Sequence, residues 1–367
     1  MGTVKSNSIA RLRLEHQHLV APVFGDPAAV VRALGAVQSQ DYAGATWGIA
    51  QRSKGLTDAA IERAFASGAI LRTHVLRPTW HFVLPEDARW MLELTAPRIV
   101  AAMAYHNRQL ELDRKVFRRS QAVFERALRD GRQLTRVELS AALQRTGVRH
   151  STGQRVNQML MQAELDRVII SGGRRGKQFT YALFDARVPA ASPRDRDAAL
   201  EDLARRYFAT RGPATVQDFA WWSGLTVADA KRSVDIAAAF LARETHAGTA
   251  YWRARSRAAS RREMPVGHLL ANFDELVIGF RDRAAFAERL RRVRPNHRVD
   301  GLIGHVVCID GQIVGGWRRS LGRTVELTLK LLVPLTPRER ELVRQAVERY
   351  GEFLGVPVRV RGRGAGR

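Results

Sequence analysis

Gln38 and Gln40 stand either side of one small residue in the stretch Gly35-Ala36-Val37-Gln38-Ser39-Gln40-Asp41-Tyr42. An amide is no general base at neutral pH, but its carbonyl accepts a hydrogen bond from water while its NH2 donates to a substrate oxygen. A pair of them can place water, contributing orientation and electrostatics rather than proton transfer. In an extended segment a spacing of two brings both side chains to one face. Asp41 either orients that water and balances a developing positive charge, or caps the next element. His81 and Thr79 lie two apart on a predicted strand and face the same way. There the histidine either donates to a phosphate and helps place the water, or is a buried group that supports a hairpin.

The chain that carries these residues is strongly basic: 367 residues, 60 Lys+Arg against 36 Asp+Glu, and a formal charge of +24. Such an excess calls for a polyanionic partner, nucleic acid before anionic membrane. Six of the sixty cations are lysine; a preference for arginine codons would exchange lysine for arginine without creating surplus charge. There is no run of eighteen apolar residues, and Met1-Gly2-Thr3-Val4-Lys5 lacks the apolar core of a signal peptide. The expectation is a cytoplasmic, nucleoid-associated protein. Cys308, the sole cysteine, lies in strand-like Val306-Val307-Cys308-Ile309 and reads as a core thiol, excluding an intrachain disulfide. His74 and His81 lack a nearby Cys or carboxylate cluster, so no metal and no other cofactor is expected.

The elements that must position these residues repeat. Asp26-Pro27 opens a helix that Gly35 ends, and Thr57-Asp58 caps a second through about Phe65. Ala69 to Leu76 and Thr79 to Val83 form a hairpin around Arg77-Pro78, and a helix starts at Pro85-Glu86-Asp87. A capping box, Thr135-Arg136-Val137-Glu138, opens a helix stopping near Gly147, and Ser151-Thr152 caps another to about Asp166. On the latter Val156, Leu160 and Ala163 form the apolar stripe and Arg155, Gln158 and Gln162 fall largely off it, as a DNA-reading face requires. Strand-like Val168 to Ile170 and Gln178 to Tyr181 flank Gly172-Gly173-Arg174-Arg175-Gly176-Lys177. That glycine-rich turn is no phosphate loop, since Ser171 replaces the first glycine, Gln178 follows the lysine, and no helix comes behind it. Helix-turn-helix plus a basic hairpin is the winged-helix pattern. Arg174, Arg175 and Lys177 then grip phosphates or enter the minor groove, or form a solvated wing.

A Pro, Ala, Ser and charge-rich linker (Val188 to Asp197) leads to a third such unit, with helices at Asp197, Thr215-Val216 and Thr226-Val227 and a wing at Thr249 to Trp252. Beyond about Pro265 short apolar or alternating runs predict a β-rich, barrel-like domain capped by a helix from Thr336 to about Phe353. The fold class is α+β, mainly α, with domains at 1–112, 113–190, 191–262 and 263–360 and a disordered tail at 361–367.

Three stretches carry a family resemblance: Val37 to Tyr42 with Trp47, Leu71 to Phe82, and Phe273-Asp274-Glu275-Leu276 with Asp282-Arg283. Together they resemble the AlkZ-like winged-helix DNA glycosylases, which excise alkylated purines and unhook interstrand crosslinks. The resemblance covers nearly the whole chain. It implies tandem winged helices in a C-shaped clamp, a C-terminal β-domain, and the glutamine pair at the catalytic centre of the concave face. Ser39 stands where an aliphatic residue is usual in these enzymes, and Pro78 where glycine often follows the arginine.

The resemblance gives the glutamines a task. A purine alkylated at N7 or N3 already carries positive charge and departs without a proton from the enzyme. What remains is to hold water near C1′ and stabilise an oxocarbenium-like sugar. Arg77 at the hairpin bend meets a phosphate through its planar fork, beside Thr79. Tyr42 and Trp47 either stack on nucleobases or pack in the core. The nearest lysine, Lys54, follows on a surface turn, so Schiff-base chemistry is not expected and the activity is monofunctional. The expected partner is double-stranded DNA bearing alkylated bases or crosslinks, met by a monomer. The competing reading is a non-catalytic winged-helix regulator or architectural protein; an RNA-binding protein has no motif in its favour. A regulator gains nothing from Gln38, Gln40 and His81 grouped away from the recognition helices.

Overall fold

The computed structural model describes residues 6–148, 153–255, 265–295, 304–321 and 324–362. After α1 (Ser6–His16), a helix the sequence pattern did not announce, Asp26 accepts the Ala29 N–H at 2.8 Å and Pro27 fills the first turn of α2 (Pro27–Leu34). β1 (Val37–Gln38), α3 (Tyr42–Gln51), α4 (Asp58–Ser67), β2 (Leu71–His74) and β3 (Trp80–Val83) follow. Next come α5 (Pro85–Gln109), α6 (Arg114–Ala127), β4 (Leu134–Thr135), α7 (Arg136–Arg145), α8 (Gly153–Leu165), β5 (Ile169–Arg175) and β6 (Gln178–Leu183). The Thr135 capping box is formed, whereas the cap expected at Ser151-Thr152 lies outside the described residues. The order helix, short strand, helix, helix, hairpin then recurs. α9 (Arg196–Arg211) leads through a bridge at Ala214 to α10 (Val216–Ser223), α11 (Val227–Ile236), β7 (Leu241–His246) and β8 (Thr249–Ala254).

The C-terminal part contains β9 (Gly267–Leu270), α12 (Glu275–Ile278), α13 (Glu288–Val293), β10 (Val306–Ile309), β11 (Gln312–Leu321), β12 (Val325–Leu331), α14 (Pro337–Leu354) and β13 (Val358–Gly362). Its sheet runs β13-β12-β11-β10-β9, with β12 and β13 parallel and the other pairs antiparallel, curled into a half-barrel. Cys308 is a buried thiol on β10, and burial pushes its pKa up. Arg361 and Gly362, expected in a disordered tail, pair instead with Thr328 and Leu329. β13 joins the sheet by its backbone pairing with β12, and Arg361 meets Glu326 at 2.8 Å.

The chain forms two compact units. The first is Met1–Ile61, Glu201–Trp222 and Thr226–Arg367; the second is Glu62–Leu200 and Ser223–Leu225. The first unit holds an aromatic cluster of Tyr207, Phe208, Phe219 and Trp222, rings 5.0 to 5.5 Å apart, and a second in which Trp47 meets Tyr350 and Phe353. The second unit is built on Phe124, Leu139, Leu143, Met159, Leu160 and Ile169, which join α6, α7, α8 and β5.

Candidate active site

In the first unit the glutamine segment is anchored by a buried ionic network. The Gln38 backbone N–H donates to Glu275 Oε1 at 2.7 Å; Glu275 Oε2 accepts from Arg211 Nη2 at 2.6 Å and from Trp222 Nε1 at 3.1 Å. Arg211 also donates to the carbonyls of Leu34 and Ala36, at 2.8 and 3.2 Å, so one guanidinium fixes the chain on the approach to Gln38. Next door Arg52 grips Asp274 with both ends of its fork, at 2.9 and 3.1 Å, and donates to Gln17 Oε1 and Gly48 O. Burial pushes the Asp274 carboxyl up, but Arg52 more than offsets this and leaves it below its usual value. Asp274 and Glu275 thus have separate tasks: one holds the end of α3, the other holds β1.

Gln38 is buried and Gln40 is exposed. β1 ends at Gln38 and the chain bends through residues 39–41 so that Asp41 can cap α3, accepting the Gly44 N–H at 3.1 Å. The expectation that strand alternation places both glutamines on one face therefore does not hold; a bend, not a strand, sets Gln40. Asp41 also faces the C-terminal sheet, with His305 Nε2 3.8 Å from its free Oδ2 and Arg319 Nη2 4.0 Å from the capping Oδ1. Tyr42 is buried. Trp47 is buried, and its Nε1–H donates to Leu269 O at 2.6 Å.

The second unit carries the other candidates on two hairpins. His81 is fully enclosed on β3, opposite Thr73 on β2, and its Nδ1 lies 2.9 Å from Thr79 O. A carbonyl only accepts, so Nδ1 bears a proton and the bond spans the foot of the bend. Thr79 lies in the bend that precedes β3, not within the strand, so it does not share a strand face with His81. Arg77 is partly buried in the same bend. Arg72 donates its backbone N–H to Ser171 Oγ at 2.7 Å, and its guanidinium lies 4.3 Å from the Trp80 ring and 4.4 Å from the Phe179 ring. This joins the β2–β3 and β5–β6 hairpins. His74 pairs with buried Glu164 of α8.

At the tip of the β5–β6 hairpin, Arg174 meets Glu62 at 2.6 Å and Arg175 meets Glu138 at 2.9 Å, while Lys177 is exposed. The Thr135 backbone N–H and Arg175 draw the Glu138 carboxyl down to about 2. On α8, Gln158 is partly buried and Arg155 donates to Leu110 O. Gln162, expected on the reading face, is buried and bonded to Asp166 at 3.0 Å. The final turns of α8 are enclosed on all sides, which a single apolar stripe does not anticipate.

Among the described residues no group of three or more His, Cys, Asp or Glu could hold a metal ion, and no helix is long and apolar enough to cross a membrane. No local sequence pattern marks Arg211, His305 or Arg319, or gives Glu275 a role. The one available signal was Asp274-Glu275, two adjacent carboxylates in an apolar stretch, Phe273 and Leu276 to Ile278, which must be paired if buried.

Residues 31–353 match the family described as DNA glycosylase AlkZ-like, and the chain belongs to that family. The fold is similar to that of Streptomyces sahachiroi DNA glycosylase AlkZ, with a TM-score of 0.78 and 22% identity over 98% of this chain and 100% of that one. Comparison with curated proteins found no match.

Proposed function

We propose that the chain hydrolyses the N-glycosidic bond of cationic, N7- or N3-alkylated purines in double-stranded DNA, as a monofunctional glycosylase that leaves an abasic site. The observation that carries this reading is the Glu275–Arg211 network spent on the backbone of Gln38. A buried ion pair tied to one peptide N–H keeps that peptide in place at a desolvation cost, as a site that works by positioning requires. Gln38 and Gln40 place the water, and Asp41 faces the developing positive charge. Because the base departs already charged, amides suffice.

We read the recurring helix, strand, helix, helix, hairpin order as winged-helix units and the +24 charge as their DNA footprint. Arg77 and Thr79 then contact the DNA backbone, and His81 holds the bend that presents them. Arg174, Arg175 and Lys177 meet phosphates at the wing, and Arg155 and Gln158 lie on the helix before it. A purine–purine crosslink through N7 contains the same bond, and we extend the proposal to it. The protein acts as a monomer on the nucleoid.

The test is product identity. A duplex carrying one N7-methylguanine is incubated with the protein, then divided between alkali and borohydride. The reading requires strand breaks only after alkali and no trapped protein–DNA adduct; a borohydride-trapped adduct would show lyase chemistry, and no break after alkali would remove the activity altogether.

A further inference from the structure

His305 lies just before β10 and Arg319 on β11, and both reach from the C-terminal sheet of the first unit to Asp41 at the head of α3. Each is supported from behind. Trp317 meets the His305 ring edge-on at 4.6 Å, and Arg319 Nη1 donates to the Tyr350 hydroxyl at 2.5 Å. Asp41 is supported too: Gly44 donates its N–H, and a Cβ at Gly44 would stand 2.8 Å from Asp41 Oδ2. A larger residue at that position would push the carboxylate aside.

The gaps between these groups carry the argument. At 3.8 and 4.0 Å neither contact is a hydrogen bond, so the carboxylate is faced by two cation-capable groups without being closed off by them. Asp41 keeps a quarter of its side chain exposed, directly after exposed Gln40. His305 Nε2 makes no hydrogen bond among the described residues. Asp41 and Gln40 are thus both open to solvent while the two cationic side chains stand off.

We propose that Asp41 takes the proton of the attacking water and that His305 and Arg319 are positioning residues acting through it, His305 receiving the proton in turn. This rests on the glycosylase reading. The water oxygen bonds to C1′ as the C1′–N bond breaks, and that bond's electron pair leaves with the base and cancels its charge. The water proton passes to Asp41 and, once the 3.8 Å gap tightens to hydrogen-bond distance in the DNA complex, on to His305 Nε2. Burial holds His305 below the ordinary imidazole value; Asp41 opposes this and Arg319 reinforces it, so the ring is neutral and able to accept. Among the described residues the charged groups facing it are Asp41 and Arg319, with Tyr350 of α14 behind the arginine.

The experiment is single-turnover excision of N7-methylguanine from a duplex, from about pH 5 to 8, with the parent, His305→Gln, Asp41→Asn and the double variant. The expected result is a rate about tenfold lower for His305→Gln, with the acid limb of the profile gone and DNA affinity within about twofold. In the Asp41→Asn background the second change has no further effect. His305→Asn repeats the test if the glutamine variant melts early. A parental rate and pH profile in His305→Gln, or effects of the two changes that multiply, would overturn the inference while leaving the glycosylase reading standing. A parent that excises nothing overturns both.

Discussion

Glu275 and Gln38, 237 residues apart, are joined by a 2.7 Å hydrogen bond from a backbone N–H to a carboxylate whose other oxygen is held by Arg211. Replacing Glu275 by Leu leaves the Arg211 guanidinium buried without its counter-ion and frees the chain before Gln38. The expected loss is about 3–5 kcal/mol in urea unfolding. Adding Arg211→Met removes the stranded charge and restores part of that stability, but not excision. Recovery of full activity by the apolar pair would show that the anchor serves folding alone.

Gly224 has φ +69, and a Cβ there would lie 1.8 Å from the Leu76 carbonyl oxygen. Leu76 itself sits at φ +64, so the hairpin bend that carries Arg77 and Thr79 has little room to yield. Gly224→Ala is expected to cost about 2–4 kcal/mol, through left-handed strain and a displaced bend. Thermal unfolding measures it; an unchanged midpoint would refute the close approach.

His268 is buried on β9 against Gln51, and burial, reinforced by Arg349, pulls its pKa down to about 3. Between the unfolded value of about 6.5 and that figure the unfolded chain binds a proton that the folded chain refuses, so stability falls as pH drops through this window and is complete above it. The loss between pH 6.5 and 5 is about 2 kcal/mol. His268→Gln should flatten the dependence of urea midpoint on pH over that range; an equal slope in parent and variant would count against it.

Lys177 extends from the tip of the β5–β6 hairpin with its side chain exposed, while Arg174 and Arg175 are engaged by Glu62 and Glu138. If the wing meets phosphate, Lys177→Ala lowers the slope of log K against log salt by about one and weakens binding evenly across sequences. Titration of undamaged duplex at several salt concentrations reads this directly, and an unchanged slope would place DNA elsewhere.

How much was legible follows the range of the interactions. Caps at Asp26, Thr135 and Thr336 bond within three residues, and all were readable. So was the hairpin bend at Arg77-Pro78, because its punctuation is local. The anchoring of Gln38 by Glu275 and the approach of His305 to Asp41 join distant segments, and no local pattern encodes them. Gln40 was misplaced because a period-two argument assumes a strand, and the strand ends one residue after it begins so that Asp41 can cap α3. Gln162 was misplaced because a polar residue off the apolar stripe can still be covered by neighbouring elements, here with its amide satisfied by Asp166. β13 was missed because its alternate arginines resemble the basic tail that follows.

Single-turnover excision of N7-methylguanine by the Gln38→Ala, Gln40→Ala double variant reads directly whether the two amides position the water. The prediction is a rate lower by about a hundredfold or more, with unfolding midpoint and DNA affinity close to the parent's. Excision at the parental rate by that variant would show that the two amides do not place the water.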